Sequence, residues 1–210
     1  TAAYPHKVPV AVDMPRTINI HPSLLPDLKG PWPIPWVVLE DLKETGVTIH
    51  KISAEWDAGD ILIQDSFSVS SSDNLETISI KSQLTARLLL ERLLREFKEF
   101  WNNAIPQVGG SYYGMPSDEK RKIDWNLTAK EIDRVIRAFG KFESYARFDN
   151  VDWLIQDGTV WEERHNFSPG AVIHRANKEV LIACGDGFVC LRHYVADPDS
   201  LTANATKIQP

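Results

Sequence analysis

The sequence predicts an α/β domain followed by a small domain built mainly of antiparallel strands. Three observations support this fold class. Segments 17–21, 46–52 and 61–64 are short and rich in β-branched apolar residues, as strands are. Segment 74–101 carries apolar residues near the spacing of one helix face, with charged residues opposite. Beyond residue 140, short alternating apolar segments follow one another closely, which is typical of a small antiparallel barrel.

The first predicted strand contains two polar residues that could carry chemistry. Ile18 and Ile20 alternate with Asn19 and His21, which is the period of a strand. Because side chains at i and i+2 lie on the same face, Asn19 and His21 should project together. Pro22 cannot donate to a sheet, so the strand should end just beyond them.

The next elements lead to a candidate carboxylate. Segment 23–35 is rich in proline and predicts a loop, and segment 36–42 predicts a short helix. The second strand, 46–52, is followed by a loop that contains Asp57. A third strand, 61–64, follows this loop.

A long helix is predicted over 74–101, with its N-cap offered by Ser71–Asp73. Its apolar face could bind a partner, but packing against the core is the favoured interpretation. The residues expected on the buried face are Leu75, Ile78, Leu84, Leu88, Leu93, Phe97, Phe100 and Trp101.

The second half begins after a boundary rich in glycine and proline, near 106–117. Thr128 and Glu131 have the spacing of a capping box, in which each side chain satisfies a free backbone N–H group. The helix they start should run to Phe139 and end at Gly140. Turns are then expected at three pairs, Asp149–Asn150, Asp157–Gly158 and Asp186–Gly187.

The composition is that of an ordinary globular protein, with 43% hydrophobic and 25% charged residues. No apolar run approaches the ~18 residues of a membrane span. The first residues do not resemble a signal peptide, so we expect a cytoplasmic protein with no membrane partner. Cys184 and Cys190 form no metal or redox pattern and are expected to be small core residues.

The charge balance bears on nucleic-acid partners. The net charge is −6, and the stretch from Ser117 to the end has 13 basic and 15 acidic residues. A surface that binds RNA would normally show a basic excess or stripe. The only basic run is Lys120–Lys122, which is interpreted as a solvated linker. The balance argues mildly against a nucleic-acid partner without excluding one.

Asn19, His21 and Asp57 are the candidate catalytic residues. An amide, an imidazole and a carboxylate brought together can move a proton and hold a developing oxyanion. Each residue also has an ordinary interpretation when taken alone: Asn19 as a turn cap, His21 as a satisfied half-buried histidine, and Asp57 as a turn residue.

A metal site is not expected. Asp60 lies close to Asp57, and two carboxylates could suggest a metal, but no third ligand clusters with them in the sequence. The other histidines sit singly in strand-like segments and are expected to be surface or packing residues. They are His50, His165, His174 and His193.

Three motifs occur in an order and spacing similar to those of the formyltransferases that use 10-formyltetrahydrofolate. They span Asn19–Pro26, Glu44–Thr48 and Asp57–Asp60. This resemblance covers roughly Tyr4 to Trp101. A weaker resemblance, to the C-terminal domain of methionyl-tRNA formyltransferases and their sugar-modifying relatives, rests on Lys122–Trp125, Arg137–Phe139, Pro169–Gly170 and Ala183–Gly187.

The resemblance implies a Rossmann-like formyltransferase domain followed by an oligonucleotide-binding-like barrel. It places the catalytic domain at 1–105, a linker at 106–122 and the barrel at 123–210. Enzymes of the family begin with strand–helix repeats that precede the first catalytic strand, and nothing before Thr17 corresponds to them. We therefore expect a catalytic domain that is incomplete at its N-terminus, in a fragment or in a natural short form.

The resemblance also implies roles for the candidate residues. Asn19 would donate to the formyl oxygen, and His21 would donate when protonated and move a proton. Asp57 would favour the protonated imidazole, because a nearby carboxylate raises a histidine pKa. Two loops would bind the folate, through His6, Lys7 and Val8 on one side and Ser53, Ala54, Glu55 and Trp56 on the other. Ser23, Leu24, Lys29 and Gly30 would flank the amine substrate.

The function implied is an N-formyltransferase that moves a formyl group from 10-formyltetrahydrofolate to an amine. The acceptor is either methionyl-tRNA or a small amine such as an amino sugar. Two alternatives are a formyltetrahydrofolate hydrolase, which would use a similar trio on water, and a non-catalytic binding module of the same fold.

Overall fold

A computed structural model of the 210-residue chain describes residues 16–140 and 144–196. The chain divides into two compact units, Thr1–Pro116 and Ser117–Pro210. His6, Lys7 and Val8, the first half of the expected folate site, lie outside the described residues.

The first unit contains a three-stranded antiparallel sheet whose strands match the expected ones. The strands are β1 (Ile18–His21), β2 (Glu44–Lys51) and β3 (Ile61–Ser68), and β2 is central. The register sets Asn19 opposite His50 and His21 opposite Thr48. The Rossmann-like arrangement depends on parallel strands, so these antiparallel strands do not test it, and it stays a prediction.

The described residues of the first unit form three helices. They are α1 (Pro33–Leu39), α2 (Leu75–Arg95) and α3 (Phe97–Asn102). Helix α1 begins three residues earlier than expected, because proline is well suited to the first helical position, where its missing N–H group is no loss. The long predicted helix is divided at Glu96, whose backbone leaves the helical region (φ −123°, ψ 30°).

The N-cap of α2 was placed wrongly by the sequence. Asn74 is the cap, and its side-chain oxygen accepts from the backbone N–H groups of Glu76 and Thr77, both at 3.0 Å. Asp73 instead accepts from the ammonium of Lys81 at 2.6 Å and from the backbone N–H of Ser70 at 2.7 Å.

The buried face of α2 also differs from the expected one. Leu75, Ile78 and Leu93 are buried as expected, but Leu84 and Leu88 are 60% and 67% exposed. The stripe that α2 packs against β2 and β3 includes the small side chains of Ser82 and Ala86. Its buried residues are Leu75, Ile78, Ser82, Ala86, Leu89 and Leu93.

The described residues of the second unit form two helices, α4 (Asp118–Arg121) and α5 (Ala129–Phe139), and a five-stranded antiparallel sheet. Helix α5 begins at the expected capping box, since the N–H of Glu131 donates to Thr128 Oγ1 (3.2 Å) and the N–H of Thr128 donates to Glu131 Oε2 (2.9 Å). It ends at Gly140, whose φ of 47° suits glycine. The strands are β4 (Ser144–Phe148), β5 (Val151–Glu162), β6 (Val172–Ala176), β7 (Glu179–Ala183) and β8 (Gly187–Ala196).

The sheet of this unit is open, so the expected closed barrel is not confirmed. The strand order is β4-β5-β8-β7-β6, and within 144–196 no pairing joins the outer strands β4 and β6. Helix α5 packs on the sheet, where Gly158 of β5 leaves room for Ile136 of α5 and Leu191 of β8. A Cβ at Gly158 would lie only 3.2 Å from each of these two side chains. The described structure is therefore a mixed α/β fold with two separate sheets.

Candidate active site

The candidate site lies in the first unit, where β1 ends and the loop between β2 and β3 folds over it. Asn19 and His21 come from β1, and Asp57 comes from the loop. Nδ2 of Asn19 donates to Oδ1 of Asp57 at 3.3 Å, and Nδ1 of His21 lies 3.6 Å from the same oxygen. The structure thus brings the amide of Asn19 and the imidazole of His21 to the same carboxylate oxygen of Asp57.

The other carboxylate oxygen of Asp57 is held by the backbone of Gly30. The N–H of Gly30 donates to Oδ2 at 2.9 Å. Gly30 has a φ of 123°, and a Cβ there would collide with the carbonyl oxygen of Tyr113, so only glycine fits. Gly30 was expected to flank the substrate, and that role stays a prediction; in the structure its N–H fixes the orientation of Asp57.

The tautomer of His21 follows from its contacts. Nε2 lies 2.8 Å from the carbonyl oxygen of Leu28, which can only accept, so Nε2 carries a proton and donates. Nδ1 is therefore the ring nitrogen that is left to exchange a proton, and it faces Asp57.

His50 was expected to be a surface or packing histidine, and the structure places it against the trio instead. It is 2% exposed, and its Nδ1 donates to the carbonyl oxygen of Lys51 at 2.8 Å. Its Nε2 is then free to accept, and it lies 3.2 Å from Nδ2 of Asn19 and 3.8 Å from Oδ1 of Asp57. The signal that could have found it is the strand register, which pairs Asn19 with His50.

Burial lowers the pKa of both histidines below the ordinary value of 6.5. For His21, the loss of hydration outweighs the charge of Asp57 and the hydrogen bond to Leu28, which both raise the pKa. The effect expected from Asp57 is therefore present but smaller than the effect of burial. For His50, burial again outweighs the hydrogen bond to Lys51 and the charge of Asp57. Both rings are mainly neutral at pH 7.

The described part of the expected folate site is an open loop beside Asp57. The hydroxyl of Ser53 donates to the carbonyl oxygen of Glu55 at 3.0 Å, and Trp56 is 46% exposed. Ala54 and Glu55 are exposed as well. Backbone groups and an indole face are accessible here, and the role of this loop in folate binding stays a prediction.

The residues expected to flank the amine have different surroundings. Ser23 is fully buried, and its hydroxyl donates to the carbonyl oxygen of Asp27 at 2.8 Å, which stabilises the turn. Leu24 packs near Gly46, and the ammonium of Lys29 donates to the carbonyl oxygen of Gly109 at 3.0 Å. Of these three, only Lys29 places a charged group near the surface.

Residues Gln107–Gly114, which we call the strap, contact the site although the sequence indicated only a linker there. Nε2 of Gln107 donates to the carbonyl oxygens of Asp57 and Gly59, and the backbone of Ser111 accepts from Lys29. No local pattern indicated these contacts, because each joins residues about 50 or more positions apart in the chain.

The described residues contain neither a cluster suited to a metal ion nor a helix suited to crossing a membrane. Across 16–140 and 144–196, no three His, Cys, Asp or Glu side chains cluster in a way that could hold a metal ion. None of the helices in these ranges combines the length and the apolar character that crossing a bilayer requires.

Two family models match the chain, and together they cover most of it. One, described as formyl transferase, matches residues 7–93, and the other, described as formyl transferase C-terminal domain, matches residues 116–205. The chain belongs to the formyl transferase family.

Among the proteins that the chain resembles are a curated relative and two solved structures. The methionyl-tRNA formyltransferase of Enterococcus faecalis is 33% identical over 175 residues, which are 82% of this chain and 56% of that protein. HypX from Aquifex aeolicus, solved in complex with tetrahydrofolic acid, superposes with a TM-score of 0.74 at 23% identity, over 85% of this chain and 32% of that one. The N-formyltransferase from Helicobacter canadensis, solved with folinic acid and dTDP-3-aminofucose, gives a TM-score of 0.65 at 22% identity, over 85% and 66%.

The two structural likenesses establish the fold. The chain spans 56% to 62% of the length of the curated relatives that it matches.

Proposed function

We propose that the protein moves a formyl group from 10-formyltetrahydrofolate to an amine, with Asn19, His21 and Asp57 as its catalytic residues. The observation that carries the proposal is the convergence of Asn19 and His21 on Oδ1 of Asp57, at 3.3 Å and 3.6 Å. These residues fall within the segment that the formyl transferase model matches. A folate donor is supported by relatives of the same fold, which were solved with tetrahydrofolic acid and with folinic acid.

The reaction makes four demands on these side chains. A neutral amine attacks the formyl carbon, negative charge grows on the formyl oxygen, the amine loses a proton, and the leaving folate nitrogen gains one. The low pKa of His21 keeps Nδ1 unprotonated at neutral pH, so it can accept the proton of the attacking amine. Asp57 then stabilises the imidazolium, which returns the proton to the leaving nitrogen.

Asn19 supplies the hydrogen bond to the developing oxyanion. One well-placed donor of this kind lowers a barrier by ~3–4 kcal/mol, because the charge appears in a site from which water is excluded. Both hydrogens of its Nδ2 are engaged in this structure, one by Asp57 and one by His50. Donation to the formyl oxygen therefore releases one of these contacts as the substrate binds.

The acceptor, the fold class and the location belong to the same proposal. The acceptor is an amine, either small or carried by methionyl-tRNA, as the names of the relatives indicate for those proteins. The family resemblance supports a Rossmann-like core and a barrel-like second unit, and the absence of a signal-peptide pattern in the sequence supports a cytoplasmic location.

The test is a formyl-transfer assay on the full-length protein with three arms. The first supplies 10-formyltetrahydrofolate with candidate amines and should yield formylated amine. The second omits the amine; rapid formate release there would identify a hydrolase instead. The third measures equilibrium binding of a folate, and tight binding without turnover in either other arm would identify a binding module.

A further inference from the structure

Asp57, whose carboxylate contacts Asn19, His21 and Gly30, has an uncommon backbone conformation. Its φ is 51°, in the left-handed region that side-chain-bearing residues rarely adopt. Aspartate adopts this region more readily than most non-glycine residues, and here the contacts around the loop hold it there. The position of the carboxylate between Asn19, His21 and Gly30 therefore depends on what holds this loop.

The side chain of Gln107 holds the loop from outside the sheet. Its Nε2 donates to the carbonyl oxygen of Asp57 at 2.8 Å and to that of Gly59 at 2.7 Å. Two carbonyl acceptors require the NH₂ group of the amide, so the orientation of the side chain is fixed. Its Oε1 is buried with no hydrogen-bond partner among the described residues. The amide therefore makes two hydrogen bonds as a donor and leaves its acceptor oxygen unsatisfied.

Both the loop and Gln107 are anchored on the strands. The backbones of Ile61 and Ile105 exchange two hydrogen bonds of 2.8 Å, which fixes the chain two residues before Gln107. The N–H of Lys51 donates to the carbonyl oxygen of Asp60 at 2.9 Å, and Gly59 lies against Lys51 so closely that a Cβ would collide with its carbonyl oxygen. Gln107 thus connects two rigid points across the turn that carries Asp57.

The strap then continues to the second loop that contacts the trio. Ser111 accepts from the backbone N–H of Lys29 through its carbonyl oxygen (2.9 Å) and from that of Leu28 through Oγ (3.0 Å). In this second loop, the carbonyl oxygen of Leu28 accepts from Nε2 of His21, and the N–H of Gly30 donates to Oδ2 of Asp57. One short segment therefore holds both loops that orient the catalytic imidazole and carboxylate.

We propose that Gln107 is a positioning residue, which sets the carboxylate of Asp57 for catalysis by donating to the two carbonyl groups of its loop. This inference rests on the proposed function. Gln107 should contribute more than stability, because the loss of its two donated hydrogen bonds should misplace Asp57 even in a variant that folds. Misplacing a reacting group by ~1 Å can cost about 100-fold in rate.

The experiment compares Gln107→Met and Gln107→Asn with a matched control. Methionine keeps the length and removes the donors, whereas asparagine keeps the amide but withdraws it by one methylene. The control is Asn74→Ala, which also removes an amide bonded to two backbone groups, but at the N-cap of α2. The full-length variants are compared by thermal melting and by steady-state kinetics well below their melting temperatures.

The expected result is a fall in kcat of about 10- to 100-fold for both Gln107 variants, with the KM for the folate donor nearly unchanged. Asn74→Ala should lower the melting temperature by an amount similar to that for the Gln107 variants, and its kcat should stay at the wild-type value. If Gln107→Met folds and its kcat is as high as that of Asn74→Ala, the inference is wrong. If Gln107→Met does not fold, the same comparison is decided by Gln107→Asn.

A measurement that needs no turnover separates this inference from the proposed function. The charge of Asp57 raises the pKa of His21, and the neighbouring titratable group is His50, whose ring centre lies 6.5 Å away. An NMR titration of the His21 ring should give a lower pKa in Gln107→Met than in wild type, shifted toward the value in Asp57→Asn. An unchanged pKa would overturn the inference even if the wild-type enzyme transfers formyl groups. If the wild-type protein transfers none but the His21 pKa still falls in Gln107→Met, the proposed function is refuted and Gln107 still positions Asp57.

Discussion

Nδ2 of Asn19 lies 3.2 Å from Nε2 of His50, directly across the β1–β2 pairing. His50 Nδ1 donates to the carbonyl oxygen of Lys51, so Nε2 must be the acceptor and the Asn19 nitrogen must point toward it. The ring thereby determines which end of the Asn19 amide faces the site. A protonated His50 could not accept, and the low pKa that burial gives it prevents this at neutral pH.

The first prediction concerns His50. Glutamine can place an oxygen near the position of Nε2 and accept from Asn19, whereas asparagine can replace only the donor to Lys51. We therefore expect His50→Asn to lower kcat by about tenfold or more, and His50→Gln to lower it less. Steady-state kinetics check the order, and an asparagine variant as active as the glutamine variant would contradict it.

The second prediction concerns the trio. His21→Ala and Asp57→Ala should each lower kcat by roughly 100-fold or more, because proton transfer by a positioned group typically contributes that much. Asp60→Asn is the matched control: its carboxylate is in the same loop but pairs with Lys51 at 3.0 Å. Circular dichroism should show that all three variants fold. Near wild-type turnover of His21→Ala would place the chemistry elsewhere.

The third prediction is a pH dependence of stability that follows from the two histidines. Both have folded-state pKa values below the unfolded value of 6.5, so the unfolded chain binds more protons. The free energy of unfolding should therefore fall as the pH is lowered from about 6.5, by up to about 1.4 kcal/mol per pH unit for each histidine. Urea titrations at several pH values measure the slope. The double variant His21→Gln with His50→Gln should lose most of it, and an unchanged slope would mean that other groups cause it.

The sequence predicted what local patterns encode. The period of two in β1 placed Asn19 and His21 on the same face, and the turn after β2 supplied Asp57. The capping box at Thr128 and the stop at Gly140 were also correct, because both depend on residues that are near each other in the chain.

The parts that the sequence did not predict depend on long-range packing. His50 reaches Asn19 through strand pairing, and Gln107 reaches Asp57 across 50 positions. The open sheet of the second unit is set by which strands pair, and alternation alone does not specify closure. On α2, Leu84 and Leu88 fitted a helical spacing as well as Ser82 and Ala86 did, and hydrophobicity favoured the wrong pair.

The fourth prediction tests the corrected face of α2. Leu89 is 5% exposed and belongs to the core cluster with Ile49 and Leu93, whereas its neighbour Leu88 is 67% exposed. Leu89→Ala should lower the free energy of unfolding by about 2–5 kcal/mol, because it removes buried methyl groups and leaves a cavity. Leu88→Ala should change it by no more than about 0.5 kcal/mol. Urea unfolding of both variants decides this, and equal losses would mean that Leu88 is covered.

The fifth prediction concerns the acceptor. The stretch from Ser117 onward has 13 basic and 15 acidic residues, which favours a small amine, whereas the curated relatives are methionyl-tRNA formyltransferases. The basic run Lys120–Lys122 overlaps the end of α4, where Arg121 lies 3.9 Å from Asp118. This ion pair reduces the positive charge that the run presents. We therefore expect weak binding of initiator methionyl-tRNA and measurable transfer to a small amine.

A salt series separates the two acceptors. A protein that neutralises several phosphates loses affinity by orders of magnitude as salt rises, because bound counterions are released from the nucleic acid. Weak tRNA binding even at low salt, together with formylation of an amino sugar, would support the small amine. Tight binding with a steep salt slope would overturn it, provided that charge reversal at Lys120, Arg121 and Lys122 abolishes the binding. In that case the basic run is a phosphate contact, and methionyl-tRNA is the acceptor.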